Sequence, residues 1–362
     1  MNMDKRKLKI AIGATLHKKV RKQSTGGTEV FAYLLTRELA KRGHDVTVFA
    51  SGDSQMEGGR LEGISTEEQI NKFEQSQRLF YSYQMLESQL LTLKQKEFDV
   101  IHINYFEPFL FTPFSKLIEK PVIYSVHSDL FVSPLWQKVT QEMVKPEDKF
   151  IFVSKNAYEK APHLTNRGYV YNGIDLATFP FSESDDGYLL WLGRVRKKKG
   201  IKEAALAAVK SGERLIMAGV IDNPEEKMFF QQEVEPLIKK HKNIEFVGEV
   251  NFEEKIKLYQ KAKAFLFPVT WEEPFGLTMI EAMACGTPVV AFNRGAVSEV
   301  VDNNKTGFVV ENIDQMAEAF KKLNKINRFD CRRRVEENFS LQRMVDQYEA
   351  LYYEILKLKG NR

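Results

Sequence analysis

The stretch AFLFPVTWEEPFGLTMIEAMACGTPVVAF, residues 264–292, decides the fold of this chain. It opens with a short apolar run at 264–269, passes through a loop, is helical in pattern at 276–284 and closes with a second apolar run at 288–292. Short apolar runs that alternate with helices are typical of a buried parallel sheet with helices on its faces. The stretch therefore predicts a strand–helix–strand unit of an α/β sheet.

The same alternation runs through the rest of the chain. Short apolar, β-branched runs predict further strands at 8–14, 45–50, 98–104, 121–127, 149–154, 188–195, 214–220 and 243–250. Helical periodicity and helix end signals predict further helices at 28–41, 67–95, 200–211, 225–240, 253–262, 312–324 and 341–358. The polar segment 168–187 interrupts this alternation and has the turn residues of an inter-domain connection.

These elements predict two Rossmann-like, doubly wound α/β domains in tandem. We place the first domain at 1–167, joined by the C-terminal helix at 341–362, and the second at 168–340. Ligands of such sheets bind at the carboxyl ends of the strands. The chemistry of this protein is therefore expected in the loops that follow the predicted strands.

The composition is that of an ordinary globular protein, with 362 residues of which 43% are hydrophobic and 28% charged. Two cysteines argue against a disulfide framework and favour a cytoplasmic location. No apolar run approaches the ~18–20 residues of a membrane span. The net charge of +4 arises in the first half of the chain. This excess fits a weak peripheral contact with the inner face of the membrane, and it fits a solvated surface better.

Several common functional motifs are missing from the sequence. There is no Gly-x-Gly-x-x-Gly fingerprint of dinucleotide enzymes, no P-loop and no Gly-x-Ser-x-Gly elbow. The cysteines and histidines lack zinc spacing, and no Asp-x-Asp is present to hold a metal beside a nucleotide-sugar. No module or basic stripe predicts nucleic-acid binding. We therefore expect no metal and no cofactor.

The loop and helix of the quoted stretch predict an anion site with two carboxylates beside it. The N–H groups around Gly276, Leu277 and Thr278 lie at a helix start, where the helix dipole favours negative charge. Glu273 precedes this helix and Glu281 lies about one turn into it, so both carboxylates are placed to accept hydrogen bonds from the hydroxyl groups of a sugar or ribose. The alternative is that the two glutamates only complement the helix end.

Two basic residues after a predicted strand are candidates to bind a diphosphate. Arg194 offers a fork of donors and Lys199 a point charge, and together they neutralise the charge that gathers on a departing nucleoside diphosphate. The three basic residues between them are assigned to the solvated surface.

Three residues of the first half follow predicted strands. Gly26 and Gly27 allow backbone N–H groups to approach a phosphate, and His127 ends a strand where ligands bind. The alternatives are a flexible turn for the glycines and a strand-end cap for the histidine.

Taken together, these motifs resemble glycosyltransferase family 4, the retaining enzymes of GT-B architecture. The segment 273–288 resembles the family's Glu-x₇-Glu signature, and Gly193-Arg-Val-x-x-x-Lys-Gly200 resembles its Gly-Arg-Leu-x-x-x-Lys-Gly motif. Asn172-Gly-Ile-Asp175, Gly26-Gly-Thr-Glu29 and the strand-end Val126-His127 fall in the family's order as well. The resemblance spans essentially the whole chain.

The resemblance implies two Rossmann-like domains that face each other across a cleft, with the nucleotide-sugar on the C-terminal half and the acceptor on the N-terminal half. It implies catalytic roles for His127, Arg194, Lys199 and Glu273. It implies a donor site formed by Gly26, Gly27, Arg194, Lys199, Glu273, Phe275, Gly276, Leu277, Thr278 and Glu281. Arg194 and Lys199 bind the diphosphate, Glu281 the ribose and Glu273 the donor sugar.

The implied activity is a metal-independent hexosyltransferase that moves a sugar from a nucleotide donor to an acceptor hydroxyl with retention. A UDP-sugar is the favoured donor and GDP-mannose the next. The acceptor stays open among a glycan, a lipid-linked sugar and a small metabolite. The rival interpretations are a non-catalytic protein that binds nucleotide-sugars and a nucleotide-sugar epimerase.

Overall fold

The computed structural model describes residues 6–15, 18–24, 26–63, 65–72, 86, 88–94, 96–104, 111–128, 138 and 142–360. The chain divides into two compact units, which we call the N-terminal and C-terminal units. The N-terminal unit contains the residues up to Gly173 together with those from Leu341 onward, and the C-terminal unit contains Ile174–Ser340. The division therefore follows Gly173 rather than residue 167, because a strand at 167–169 pairs with the first sheet.

The N-terminal unit is built on a parallel sheet of seven strands in the order β3-β2-β1-β4-β5-β6-β7. Its strands are β1 (Lys9–Gly13), β2 (Asp45–Ala50), β3 (Arg60–Gly63), β4 (Val100–Ile103), β5 (Val122–Val126), β6 (Lys149–Phe152) and β7 (Arg167–Tyr169). Its helices are α1 (Gly27–Lys41), α2 (Glu67–Asn71), α3 (Thr112–Ser115), α4 (Lys155–Glu159) and, at the end of the chain, α13 (Leu341–Gly360). The strand order reverses beside β1, as in a doubly wound sheet.

The C-terminal unit is built on a parallel sheet of six strands in the order β10-β9-β8-β11-β12-β13. Its strands are β8 (Tyr188–Arg194), β9 (Leu215–Val220), β10 (Ile244–Phe246), β11 (Ala262–Phe267), β12 (Val289–Phe292) and β13 (Gly307–Val310). Its helices are α5 (Ile201–Ser211), α6 (Pro224–Phe229), α7 (Glu235–Lys240), α8 (Phe252–Lys261), α9 (Leu277–Ala284), α10 (Val297–Val300), α11 (Ile313–Phe320) and α12 (Arg328–Asn338). Both sheets confirm the predicted α/β class.

The elements that the sequence did not predict are short or highly charged. The strands β3, β7 and β13 lie at sheet edges and have three or four residues each, which is too short for a clear strand pattern. The helix α12 carries four arginines and few apolar residues, so its periodicity is weak. Within the predicted helix 67–95, Glu67–Asn71 and 88–94 are helical, and most of the segment between them lies outside the described residues.

A buried polar network attaches the last helix to the first sheet. On β4, His102 contacts Tyr352 through Nδ1 and Ser125 through Nε2, each at 2.7 Å. Ser125 in turn lies 2.8 Å from the hydroxyl of Tyr348, and both tyrosines belong to α13. Burial, with a smaller effect from His127, lowers the pKa of His102 to about 3, so its ring is neutral at neutral pH. The network explains why the chain returns to its N-terminal unit.

Candidate active site

The candidate donor site of the C-terminal unit lies at the carboxyl ends of β8 and β11, which are neighbours in the sheet. Arg194 is the last residue of β8, and the loop 268–276 leads from β11 into α9. The carboxyl ends of parallel strands lie at one edge of a sheet, so the sheet itself gathers side chains that are distant in sequence.

Lys199 and Glu273 form an ion pair at this edge. Lys199 ends a short 3₁₀ turn, Lys197–Lys199, and its Nζ donates to Oε2 of Glu273 at 2.8 Å. The Glu273 side chain is 11% exposed and that of Lys199 is 28% exposed, so the pair is largely shielded from water. In the free protein, each of these two charges neutralises the other.

The start of α9 has the geometry predicted for an anion site. Gly276 precedes the helix with a φ of 89°, in the left-handed region that glycine adopts without strain, and a Cβ there would clash with Met279. Gly276 offers no side-chain cap, and the Met279 N–H donates to the Gly276 carbonyl at 3.0 Å. The N–H groups of Leu277 and Thr278 precede this bond and have no acceptor within the helix. Leu277 and Thr278 are partly exposed at this end, whereas Phe275 is buried and packs edge-on against Phe339 at 5.7 Å. Phe275 therefore supports the loop through packing.

Glu281 lies one turn into α9, as predicted, and is held by two residues of α8. Its Oε2 accepts from Nζ of Lys255 at 3.0 Å and from the hydroxyl of Tyr259 at 3.1 Å. Burial, reinforced by the negative charge of Glu281, raises the pKa of Tyr259 well above its usual value, so the phenol remains a donor. The sequence analysis did not single out Lys255 or Tyr259.

Arg194 is oriented by a carboxylate that the sequence analysis missed. Its Nε lies 3.1 Å from Oδ2 of Asp222, which follows β9 at the same edge of the sheet. The Asp222 N–H donates at 2.7 Å to buried Glu226, which also accepts from Arg196 at 2.6 Å. Burial opposes ionisation of Glu226, but these hydrogen bonds outweigh it and lower its pKa. Asp222 could have been identified from the sequence, because it follows a predicted strand at the edge where ligands bind.

The N-terminal unit presents a neutral histidine at the carboxyl end of β5. The ring of His127 packs edge-on against Phe31 at 4.7 Å, and its Nε2 is buried with no hydrogen-bond partner among the described residues. Burial lowers the pKa of His127 to about 4, so the imidazole is uncharged at neutral pH. A neutral ring with a free nitrogen offers a hydrogen bond rather than a charge.

Gly26 and Gly27 lie at the start of α1, in the N-terminal unit. Gly26 precedes the helix and Gly27 begins it. The buried carboxylate of Glu29 folds so closely onto Gly26 that a Cβ there would clash with it. A cavity of about 80 Å³ opens beside Gly26 and is lined by Lys18, Lys19, Arg21, Ser24, Gly26, Glu29 and Glu67. Because Gly26 has no side chain, the Glu29 carboxylate can lie directly against the backbone of this loop.

The C-terminal unit contains the predicted Arg194, Lys199, Glu273, Glu281 and residues 275–278, and of these Lys199 and Glu273 are in direct contact. The predicted Gly26, Gly27 and His127 all belong to the N-terminal unit. Both cysteines are buried free thiols, and burial raises the pKa of each to about 12. Among the described residues, no three or more His, Cys, Asp or Glu side chains are grouped to hold a metal. In the same part of the chain, no helix is both long and apolar enough to cross a membrane.

Two family models match adjoining parts of the chain. The model described as Glycosyltransferase Family 4 matches residues 25–178, and that described as Glycosyl transferases group 1 matches residues 178–340. N-acetyl-alpha-D-glucosaminyl L-malate synthase of Bacillus anthracis is 23% identical over 97% of this chain and 98% of its own length.

Two solved structures share the fold. Sucrose-phosphate synthase of Thermosynechococcus elongatus has a TM-score of 0.81 and 19% identity, over 97% of this chain and all of its own. Anabaena HepE in complex with UDP and glucose has a TM-score of 0.73 and 17% identity, over 95% of this chain and 99% of its own. These likenesses show the GT-B fold, which consists of two Rossmann-like domains.

Proposed function

This chain belongs to glycosyltransferase family 4 as a hexosyltransferase, and on that premise we propose that it is a retaining enzyme that uses a UDP-sugar without a divalent metal. The observation that carries the proposal is the Lys199–Glu273 pair at 2.8 Å, next to the uncapped start of α9. A cation and a helix N-terminus at one sheet edge suit the diphosphate of a nucleotide-sugar, which gains negative charge as it leaves. The carboxylate beside them suits the sugar hydroxyls.

The proposed roles follow the chemistry of each group. Arg194 and Lys199 bind the diphosphate, and the N–H groups at the start of α9 add positive potential where the leaving group gains charge. Glu281 keeps one carboxylate oxygen for the ribose while Oε2 is held by Lys255 and Tyr259. Glu273 accepts hydrogen bonds from the donor sugar once the diphosphate attracts Lys199 away from it. His127 supplies a neutral hydrogen bond to the sugar, and the Gly26–Gly27 backbone approaches the phosphates.

In the proposed reaction, the bond from the anomeric carbon to the diphosphate oxygen breaks and a bond to the acceptor oxygen forms on the same face. The departing diphosphate takes the proton of the acceptor hydroxyl. The positive charges of Arg194 and Lys199 stabilise the leaving group by facing the oxygens on which charge develops.

The choice of a UDP-sugar is the finer part of the proposal. It is supported by the HepE structure, which holds UDP and glucose on the same fold. Thermal shift with UDP, GDP and their sugars tests it, because a ligand that binds only the native state raises the melting temperature. We expect the largest shift with UDP ligands. A rise in melting temperature with GDP-mannose alone would mean that GDP-mannose, and not a UDP-sugar, is the donor.

Two further measurements test the reaction itself. An assay with a panel of acceptors distinguishes sugar transfer from mere donor binding and from epimerisation of the donor, because only transfer yields a glycosylated acceptor together with free nucleotide. Exhaustive EDTA treatment, followed by added magnesium or manganese, tests metal independence. We expect activity to survive chelation, since Arg194, Lys199 and α9 supply the positive potential. Activity that returns only with the metal would contradict this part.

A further inference from the structure

The indole of Trp271, in the loop before α9, lies against the ammonium group of Lys198 and that of the donor-site residue Lys199. The Nζ of Lys198 is 4.0 Å from the ring centroid, and the Nζ of Lys199 is 4.9 Å from it. Cations within about 6 Å of an aromatic face are attracted by the ring quadrupole, and most strongly by tryptophan. No role for this residue follows from the motifs of the sequence.

The backbone of the lysine turn is already held by other contacts. The Thr270 N–H donates to the Lys198 carbonyl at 3.0 Å, and Nε1 of Trp191 donates to the Lys199 carbonyl at 3.0 Å. These contacts do not fix the Lys199 side chain, which has many rotamers. In the structure, two groups restrain its Nζ: the Glu273 carboxylate at 2.8 Å and the Trp271 ring.

The polar atom of Trp271 does not explain the presence of this residue. Its Nε1 is buried and has no hydrogen-bond partner among the described residues. A buried unpaired donor costs stability, so a hydrogen bond is not what the indole supplies here. The contact between the aromatic ring and the ammonium groups is its observed interaction.

We infer that Trp271 is a positioning residue that holds the Lys199 ammonium in place for the donor diphosphate. The inference rests on the proposed function. When Glu273 turns to the sugar, the ring remains as a second restraint and keeps Nζ at the edge of the site. It also excludes water from one side of the ammonium, which strengthens the attraction to phosphate.

The test compares Trp271→Leu, which removes the ring, with Trp271→Phe, which keeps an aromatic face and removes Nε1. The probes are uridine and UDP, or guanosine and GDP if the wild type binds GDP, measured by calorimetry. We expect Trp271→Leu to weaken the nucleoside diphosphate about threefold to thirtyfold, the range of a cation–π contact, and to leave the nucleoside unchanged. Trp271→Phe retains most of the affinity.

A double-mutant cycle identifies the group through which Trp271 acts. In a Lys199→Ala background, Trp271→Leu should change the affinity for the diphosphate by less than about twofold. Lys198→Ala is the matched control, because Lys198 contacts the same ring but is assigned no role in binding the diphosphate. It should also change this affinity by less than about twofold.

Several results would overturn the inference. They are an unchanged diphosphate affinity in Trp271→Leu, an equal loss in Trp271→Phe, an equal loss of nucleoside, and a full effect in the Lys199→Ala background. If Trp271→Leu fails to fold, Trp271→Met removes the ring with a flexible apolar chain and the same outcomes apply. If the wild type binds neither UDP nor GDP, the proposed function itself fails. This result is distinct from failure of the inference about Trp271, which requires that the wild type binds a nucleoside diphosphate.

Discussion

The candidate residues of the two units differ in how their charge is handled. In the C-terminal unit, Arg194, Lys199 and Glu281 are ionised groups, and each has an opposite charge within 3.1 Å. In the N-terminal unit, His127 is a partly buried, neutral ring whose buried Nε2 has no partner in the described part of the chain. The candidate side chains of the C-terminal unit are therefore charged and ion-paired, whereas the candidate histidine of the N-terminal unit is neutral.

This difference follows from the part of the ligand that Arg194, Lys199 and His127 are each proposed to bind. A diphosphate requires fixed cations, and pairing with nearby carboxylates keeps Arg194 and Lys199 oriented. Sugar hydroxyls require only hydrogen bonds, so a neutral imidazole in an apolar setting is sufficient. The predictions below test this contrast.

The largest expected effect is the loss of a diphosphate cation. We expect Arg194→Ala and Lys199→Ala each to lower turnover by at least ~10²-fold, the scale of removing one preorganised electrostatic contact. Lys197→Ala in the same basic run is the control and should stay near wild-type turnover. Steady-state kinetics measures all three. Near-normal turnover in Arg194→Ala and Lys199→Ala would show that these residues do not bind the diphosphate during the reaction.

Binding experiments should distinguish the roles of Glu273 and Glu281. We expect Glu281→Gln to weaken free nucleoside diphosphate about tenfold, since hydrogen bonds to charged groups contribute roughly 1.5–3 kcal/mol. Glu273→Gln should leave nucleoside diphosphate affinity within about threefold and instead weaken the complete nucleotide-sugar. Calorimetry with both ligands decides. Equal losses of free nucleotide in the two variants would show that their roles are not separable.

Stability should fall as the pH is lowered from 6.5 towards 5. His102 and His127 resist protonation in the folded protein, with pKa values of about 3 and about 4, whereas an unfolded histidine titrates near 6.5. The unfolded chain therefore binds more protons in this window, and each histidine costs up to about 1.4 kcal/mol per pH unit. Denaturant unfolding of the wild type and of His102→Gln measures this. A slope unchanged by the substitution would contradict burial of a neutral His102.

The smallest expected effect concerns the pH dependence of His127. Because its pKa is about 4, the ring does not titrate between pH 8 and pH 6. The ratio of wild-type to His127→Gln turnover should therefore stay constant within about twofold across that range. Measuring the ratio cancels other titrating groups. A ratio that changes near pH 6.5 would mean that the histidine acts in its charged form.

The class of fold and most of the candidate donor site could be read from the sequence. Strands such as β2 and β12 are apolar enough to be predicted within a residue of their observed bounds. The helix start at α9 was predictable because Gly276 and the two glutamates are close in sequence, so local backbone preferences determine their arrangement.

What lay beyond the sequence is what depends on contacts between distant segments. The partners Asp222 of Arg194 and Lys255 of Glu281 come from other strands and helices, and only the order of strands in the sheet brings them near. The strand β7 has three residues, too few for a pattern, so the boundary between the units shifted with it. The neutrality of His127 is also a tertiary property, because it follows from burial against Phe31.

The sequence by itself determined which residue types stand after each strand, and hence a two-domain α/β transferase with a charged donor site. Only the tertiary structure decided which charges pair, which histidine is buried in a structural network and which ring restrains Lys199. The physical reason is that periodicity and motifs report local backbone and burial preferences, whereas pairing energies and pKa shifts depend on distances of a few ångströms between segments far apart in the chain.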